Sequence, residues 1–129
     1  MNFVKEDGID YPVGILDDVK IYFMHYKTET QAKEKWIERS KRLNLDNLYI
    51  LFTDRDGCSV EDMKLFDSLP YKNKIVFVNK EYSEIKSAYY IKGFENEKSV
   101  GILTHFINKY SGRRYLDSFD FVKWFNNGK

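Results

Sequence analysis

The chain has 129 residues, of which 43% are hydrophobic and 32% are charged, and a formal net charge of +1; this is enough for one globular domain with an ordinary core, and the composition is not that of a disordered chain. The balanced charge argues against nucleic-acid binding driven by phosphate neutralisation, and the single cysteine excludes a disulfide framework and a multi-cysteine zinc site. The longest apolar run, at residues 48–52, is too short to span a membrane. We therefore predict one domain over residues 1–129, located in the cytoplasm.

The first part of the chain predicts a turn, a strand and a helix. Residues 11–14, Tyr-Pro-Val-Gly, are typical of a turn that enters the domain, and residues 19–25 are predicted to form a strand. A capping box, Thr28 followed three residues later by Gln31, indicates the start of a helix. The apolar stripe of this helix is predicted to contain Ala32, Trp36, Ser40 and Leu43.

The middle of the chain alternates between strands and helices. Residues 47–53 predict a strand that is apolar on both faces, as in the middle of a parallel sheet. Residues 60–69 predict a helix that Pro70 ends, and residues 74–78 predict the third strand. This order indicates parallel strands joined by right-handed crossovers. The predicted fold class is therefore α/β, a layered α/β/α arrangement with a mostly parallel sheet of three to five strands.

The last part of the chain predicts one more strand and two helices. Residues 88–92 predict a fourth strand ended by Gly93. Apolar residues recur at helical spacing over residues 99–110 and again over residues 117–125, so both segments are predicted to be packing helices.

Three loops are predicted to lie at one edge of the sheet, at residues 25–28, 53–59 and 79–80. Ligands of open α/β sheets bind beyond the carboxyl ends of the strands, where helix N-termini favour anions such as phosphate. We therefore predict that this edge binds a ligand. His25, at a strand end, has two interpretations: it is a general base near neutral pH, or it is only hydrogen-bonded. The predicted ligand-binding residues are Arg55, Lys27, Thr28, Ser59 and Asn79.

The densest cluster of reactive side chains is Asp54-Arg55-Asp56-Gly57. Two carboxylates two residues apart could hold one divalent cation, Mg²⁺ or Mn²⁺, as the Asp-x-Asp motif of sugar-nucleotide transferases does, so Asp54 and Asp56 are the predicted catalytic and metal-binding residues. The run also resembles the first motif of haloacid-dehalogenase-like phosphatases, in which the first aspartate attacks phosphorus and the second is the general acid/base. In the third interpretation, both aspartates only form Asx-turns and cap the next helix.

Cys58, at the start of that helix, has two interpretations. A helix N-terminus can lower the pKa of a thiol and make it a nucleophile. Because no histidine lies near Cys58 in the sequence, we interpret it as a buried structural residue.

An ordered set of short motifs covers most of the chain, roughly from Tyr11 to Gly101. It includes Tyr-Pro-Val-Gly at residues 11–14 and Thr-Asp-Arg-Asp-Gly-Cys at residues 53–58. The others lie at residues 17–19, 25–27, 35–36, 46–48, 66–70, 73–77 and 91–95. Together they resemble a family of uncharacterised bacterial proteins, a domain of unknown function, whose members are described as exopolysaccharide biosynthesis proteins.

This resemblance implies a bacterial cytoplasmic protein whose relatives are associated with exopolysaccharide or capsule biosynthesis, but it supplies no reaction. Together with the loops at the edge of the sheet, it leads us to predict that the chain binds or transfers a sugar nucleotide or a sugar phosphate. The rival interpretation is a binding or assembly module without chemistry. Relatives carry a further segment ahead of the Tyr-Pro-Val-Gly motif. The resemblance therefore implies that this chain corresponds to their C-terminal part, and that an oligomer or a partner segment could complete its site.

Overall fold

The computed structural model describes residues 1–127 and is a mixed α/β structure with two three-stranded sheets. The α/β class is therefore confirmed, whereas the layered α/β/α arrangement is not. The chain divides into two compact units, Met1–Leu45 and Asp46–Lys129, called here the first and the second unit. The single domain over residues 1–129 stays a prediction.

The first unit contains an antiparallel sheet and one helix. The strands β1 (Asn2–Val4), β2 (Val13–Leu16) and β3 (Val19–Tyr22) lie in chain order, and both neighbouring pairs are antiparallel. The helix α1 (Glu29–Ser40) begins where it was predicted to begin, because the Thr28 side chain accepts a hydrogen bond from the backbone N–H of Gln31 at 3.2 Å.

The prediction that residues 19–25 form a strand of the parallel sheet is wrong. The strand ends at Tyr22 and pairs with β2, in a register that sets Leu16 opposite Val19. Asp17 lies between the two strands with φ at 53°, in the left-handed region that tight turns use. The two strands are thus joined as a hairpin, and closing so short a loop costs little chain entropy. We assigned residues 11–14 to a turn and missed β2.

The second unit contains the parallel sheet. Its strands β4 (Tyr49–Thr53), β5 (Asn73–Val78) and β6 (Ala88–Tyr90) lie in chain order, so β5 is the central strand and β4 is an edge. The strands predicted at residues 47–53, 74–78 and 88–92 are confirmed, but the central position predicted for the first of them is wrong. Short 3-10 turns, Leu45–Asn47 and Tyr115–Ser118, precede β4 and the last helix.

The core of the second unit lies on both faces of β5. Val76 and Val78 pack with Met63 of the helix α2 (Val60–Ser68) and with Ile85. The alternate residues of β5 point to the opposite face. They pack in a second cluster whose buried members are Ile75, Phe77, Ile91, Phe94 and Val100.

The helix predicted over residues 99–110 is wrong. The segment consists of turns and one isolated antiparallel bridge, Phe106 with Arg114. The Asn108 side chain accepts hydrogen bonds from the backbone N–H groups of Tyr110 and Ser111 at 2.9 and 2.8 Å, which gives the backbone an alternative to helical hydrogen bonds. The predicted final helix is confirmed in part, since α3 begins only at Phe121 (Phe121–Asn127).

The rings of the C-terminal segment close the second core cluster. Phe119 contacts Phe77 at a centroid distance of 5.3 Å and Tyr89 at 4.9 Å, both edge to face. Trp124 contacts Phe119 in the same way at 5.5 Å. Such edge-to-face pairs stabilise beyond the apolar area that they bury. Among the described residues, no helix is long and apolar enough to cross a membrane.

Val76→Ala tests the central position of β5. Val76 is fully buried, so we expect the loss of two methyl groups to lower the free energy of unfolding by about 1–3 kcal/mol in chemical denaturation. Val122→Ala is the matched control, because Val122 is 71% exposed on α3 and alanine favours helices; its effect should stay within about 0.5 kcal/mol. Equal effects of the two substitutions would contradict this core.

Candidate functional site

Asp54 joins three segments of the second unit. It follows β4 directly and is only 6% exposed. One carboxylate oxygen accepts a hydrogen bond from the backbone N–H of Asn79 at 2.9 Å, and the other accepts one from the backbone N–H of Val100 at 2.8 Å. The Asp54 backbone N–H donates in turn to the carbonyl of Phe77 at 3.1 Å. Hydrogen bonds to a buried carboxylate are among the stronger ones in proteins, so Asp54 fixes the ends of β4 and β5 to the segment around Val100.

Asn79 extends the same network. Its side chain is almost completely buried and donates hydrogen bonds to the carbonyls of Phe94 and Glu97, at 3.2 and 2.6 Å. Asn79 was predicted to bind a ligand, but in this geometry its amide nitrogen holds the segment that follows β6.

Asp56 and Gly57 form the tight turn after Asp54. Both have left-handed backbone conformations, with φ at 58° and 82°. Asp56 is exposed, whereas Asp54 is buried and both of its carboxylate oxygens accept backbone hydrogen bonds. The described residues contain no group of three or more His, Cys, Asp or Glu side chains that could hold a metal ion. These observations give no support to the predicted Mg²⁺ or Mn²⁺ site, and the metal-binding role of Asp54 and Asp56 stays a prediction.

A pocket of about 570 Å³ lies at the carboxyl end of the parallel sheet. We call it the sheet-end pocket; Arg55, Asp56, Phe94 and residues 97–102 line it. Its charged side chains are Arg55, Lys98, Asp56 and Glu97, two of each sign. Asp54 lies behind the pocket and holds Val100, one of the lining residues, by its backbone. Of the predicted site residues, Arg55 and Asp56 thus line the pocket, whereas Asp54 and Asn79 position it.

Phe94 and Gly101 make one wall of the sheet-end pocket. A Cβ atom on Gly101 would lie 2.6 Å from Cε1 of the Phe94 ring, so only glycine allows this approach without displacement of the ring. The sequence analysis did not predict that Lys98 and this wall line a pocket. The one sequence feature that pointed to them is the motif at residues 91–95, which contains Phe94.

Ser59 and Cys58 have local structural roles. Ser59 caps α2 in a reciprocal pair: its hydroxyl accepts from the backbone N–H of Asp62 at 3.1 Å, and the Asp62 carboxylate accepts from the Ser59 backbone N–H at 2.8 Å. The hydrogen bonds that the Asp62 carboxylate accepts from the Ser59 backbone N–H and from the Ser59 hydroxyl lower the pKa of Asp62. Burial, followed by the nearby charges of Asp62 and Asp54, raises the pKa of the Cys58 thiol. Cys58 is only half-buried, so the predicted burial is wrong, but a raised pKa is the opposite of what an activated nucleophile needs.

His25, Lys27 and Thr28 belong to the first unit. We predicted that these residues and Asp54 lie at one edge of a single parallel sheet. They do not share such an edge, because β3 belongs to the antiparallel sheet of the first unit. Thr28 caps α1, and Lys27 is exposed. Their roles in ligand binding stay predictions.

The first unit has a pocket of its own, of about 540 Å³, which we call the ring pocket. It is lined by residues 21–26 and by Lys35, Trp36, Arg39, Ser40 and Leu43 of the α1 side. The backbone N–H of Tyr26 donates to the Phe23 carbonyl at 2.9 Å, and this turn directs His25 and Tyr26 toward the pocket. Trp36, Ser40 and Leu43 are the helical stripe predicted from the sequence, but their role as a pocket wall was missed.

The fold and these pockets define a mixed α/β protein whose polar pocket lies at the end of a short parallel sheet. Residues 1–126 match the model of the family "Domain of unknown function (DUF1919)", and the chain belongs to this family. It is 54% identical over 127 residues to an uncharacterized protein of Haemophilus influenzae, in an alignment that covers 98% of this chain and 61% of that relative. The chain thus spans about three fifths of the length of this curated relative. No solved structure matches it.

Asp54→Asn should act on stability. The asparagine NH₂ group would face a backbone N–H, so one buried donor loses its acceptor and the charge is removed. We expect the free energy of unfolding to fall by about 2 kcal/mol or more. Asp56→Asn is the matched control, because asparagine tolerates a left-handed backbone and Asp56 is exposed; it should change stability by less than about 0.5 kcal/mol. Unchanged stability of Asp54→Asn in chemical denaturation would contradict the structural role.

The pH dependence of alkylation tests Cys58. Because burial raises its pKa in the folded protein, the thiolate should form at higher pH there than in the unfolded chain. The rate of modification by iodoacetamide should therefore rise at higher pH in the folded protein than in the same protein in denaturant. A faster reaction of the folded protein at neutral pH would instead indicate an activated nucleophile.

Proposed function

We propose that this chain binds a sugar phosphate, or the sugar-phosphate part of a sugar nucleotide, in the sheet-end pocket, as a binding module in exopolysaccharide biosynthesis. The observation that carries the proposal is the pocket itself, at the carboxyl end of parallel strands and lined by both signs of charge. The wider role in exopolysaccharide biosynthesis rests on the resemblance of the sequence motifs.

The charges of the pocket match the two parts of such a ligand. Arg55 and Lys98 supply N–H donors for a phosphate, and a guanidinium can bind two phosphate oxygens at once. Asp56 and Glu97 supply acceptors for sugar hydroxyl groups. A volume of about 570 Å³ lies in the range typical of small-molecule sites.

The position of Asp54 favours binding over chemistry. A nucleophile that attacks phosphorus needs an oxygen atom free to approach the substrate, and the phosphatase interpretation assigns this role to Asp54. Both of its oxygens instead accept backbone hydrogen bonds within the protein core. The non-catalytic interpretation is therefore the better supported one, and no metal enters the proposal.

Isothermal titration calorimetry with glucose 1-phosphate and galactose 1-phosphate tests the proposal. We expect at least one sugar phosphate to bind more tightly than the free sugar or inorganic phosphate, because it contacts both kinds of lining group. EDTA should leave the affinity unchanged, since no metal is needed. If the folded protein binds neither sugar phosphate measurably, the proposal is refuted.

Arg55→Gln locates the binding site. Loss of a charged hydrogen bond to phosphate should weaken the binding of the sugar phosphate about tenfold or more. Arg113→Gln removes the same charge from an exposed position of the second unit outside the pocket, and should leave the affinity within about twofold. Equal losses in both variants would assign the effect to net charge and not to this pocket.

A further inference from the structure

The ring pocket of the first unit has flat aromatic walls. Phe23 is buried, and the rings of Trp36 and Tyr26 both contact it edge to face, each at a centroid distance of 6.1 Å. These contacts hold both rings in place, while Trp36 and Tyr26 themselves are only half-buried and line the pocket. Ordered, partly exposed rings of this kind can stack on a planar ligand without losing much side-chain freedom.

The charge of the ring pocket is of one sign. Lys35 and Arg39 lie one helical turn apart on α1 and line it, together with the exposed His25; no acidic side chain is among the described lining residues. Lys35 already pairs with Glu38, at 2.6 Å. Arg39 is therefore the cation best placed to meet an anionic ligand beside Trp36.

We propose that the ring pocket binds a nucleotide, with the base stacked on its rings and the phosphate paired with Arg39. Inorganic phosphate would leave the rings unused, and a free nucleoside would leave Arg39 unused, whereas a nucleotide uses both. The pocket, of about 540 Å³, lies in the range of small-molecule sites. This inference is independent of the sugar-phosphate site, because its residues belong to the other unit.

Uridine 5′-monophosphate is the probe for this site. The chain has two tryptophans, so Trp124→Phe leaves Trp36 as the single tryptophan reporter. We expect saturable quenching of its fluorescence by uridine 5′-monophosphate, with uridine and inorganic phosphate each binding about tenfold more weakly or worse. Calorimetry on the unaltered chain measures the same affinities if Trp124→Phe does not fold.

Arg39→Gln and Arg42→Gln are the matched pair of variants. Arg39 lines the pocket, whereas Arg42 lies outside it with an exposed partner, Glu38, at 3.4 Å. Arg39→Gln should weaken the binding of uridine 5′-monophosphate about tenfold. Arg42→Gln should change its affinity less than twofold, since exposed pairs contribute little.

Three results would overturn the nucleotide site. The first is no binding of uridine 5′-monophosphate up to about 1 mM. The second is binding of inorganic phosphate or glucose 1-phosphate at Trp36 as tight as that of the nucleotide, which would indicate a simple anion site. The third is loss of nucleotide affinity in Arg55→Gln and not in Arg39→Gln. The separate substitutions keep failure here distinct from failure of the sugar-phosphate proposal.

Discussion

The second unit depends on one buried carboxylate. Asp54 follows the edge strand β4, and its two oxygens reach the backbone of Asn79, after β5, and of Val100, far along the chain. Few single side chains can satisfy two buried backbone N–H groups from separate segments, and a carboxylate does so with charge-assisted strength. The same two hydrogen bonds set the wall of the sheet-end pocket. Asp54, which the sequence predicted to be a catalytic residue, thus holds the wall of that pocket in place.

The packing around β5 supports this arrangement. Each face of the strand is covered by a different part of the chain, α2 on one side and the ring-rich C-terminal segment on the other. Residues 99–110 do not form the helix that helical spacing predicted, and there the Asn108 side chain hydrogen-bonds to the backbone N–H groups of Tyr110 and Ser111. A core built from rings needs few regular elements, since each ring buries a large area.

The two pockets differ in chemistry in a way that their elements explain. The sheet-end pocket is made by loops that follow parallel strands, and loops bring charged side chains of both signs together with backbone groups. The ring pocket is made by one face of α1 and the turn after β3, so it combines an apolar helical stripe with the long basic side chains beside that stripe. Mixed charge suits a sugar phosphate, and flat rings with positive charge suit a nucleotide.

The sequence by itself determined the local elements, namely the helices that begin after Thr28 and Ser59 and the strands after residue 47. It also indicated that the cluster Asp54-Arg55-Asp56-Gly57 lies at the candidate site. Caps, apolar runs and turn residues are decided by neighbours within a few positions, so they can be read from the chain. Only the tertiary structure decided that β3 pairs with β2, that β4 is an edge, and that Asp54 points into the core toward Val100, 46 residues away. Pairing and burial depend on competition between distant segments, and spacing along the sequence does not encode its outcome.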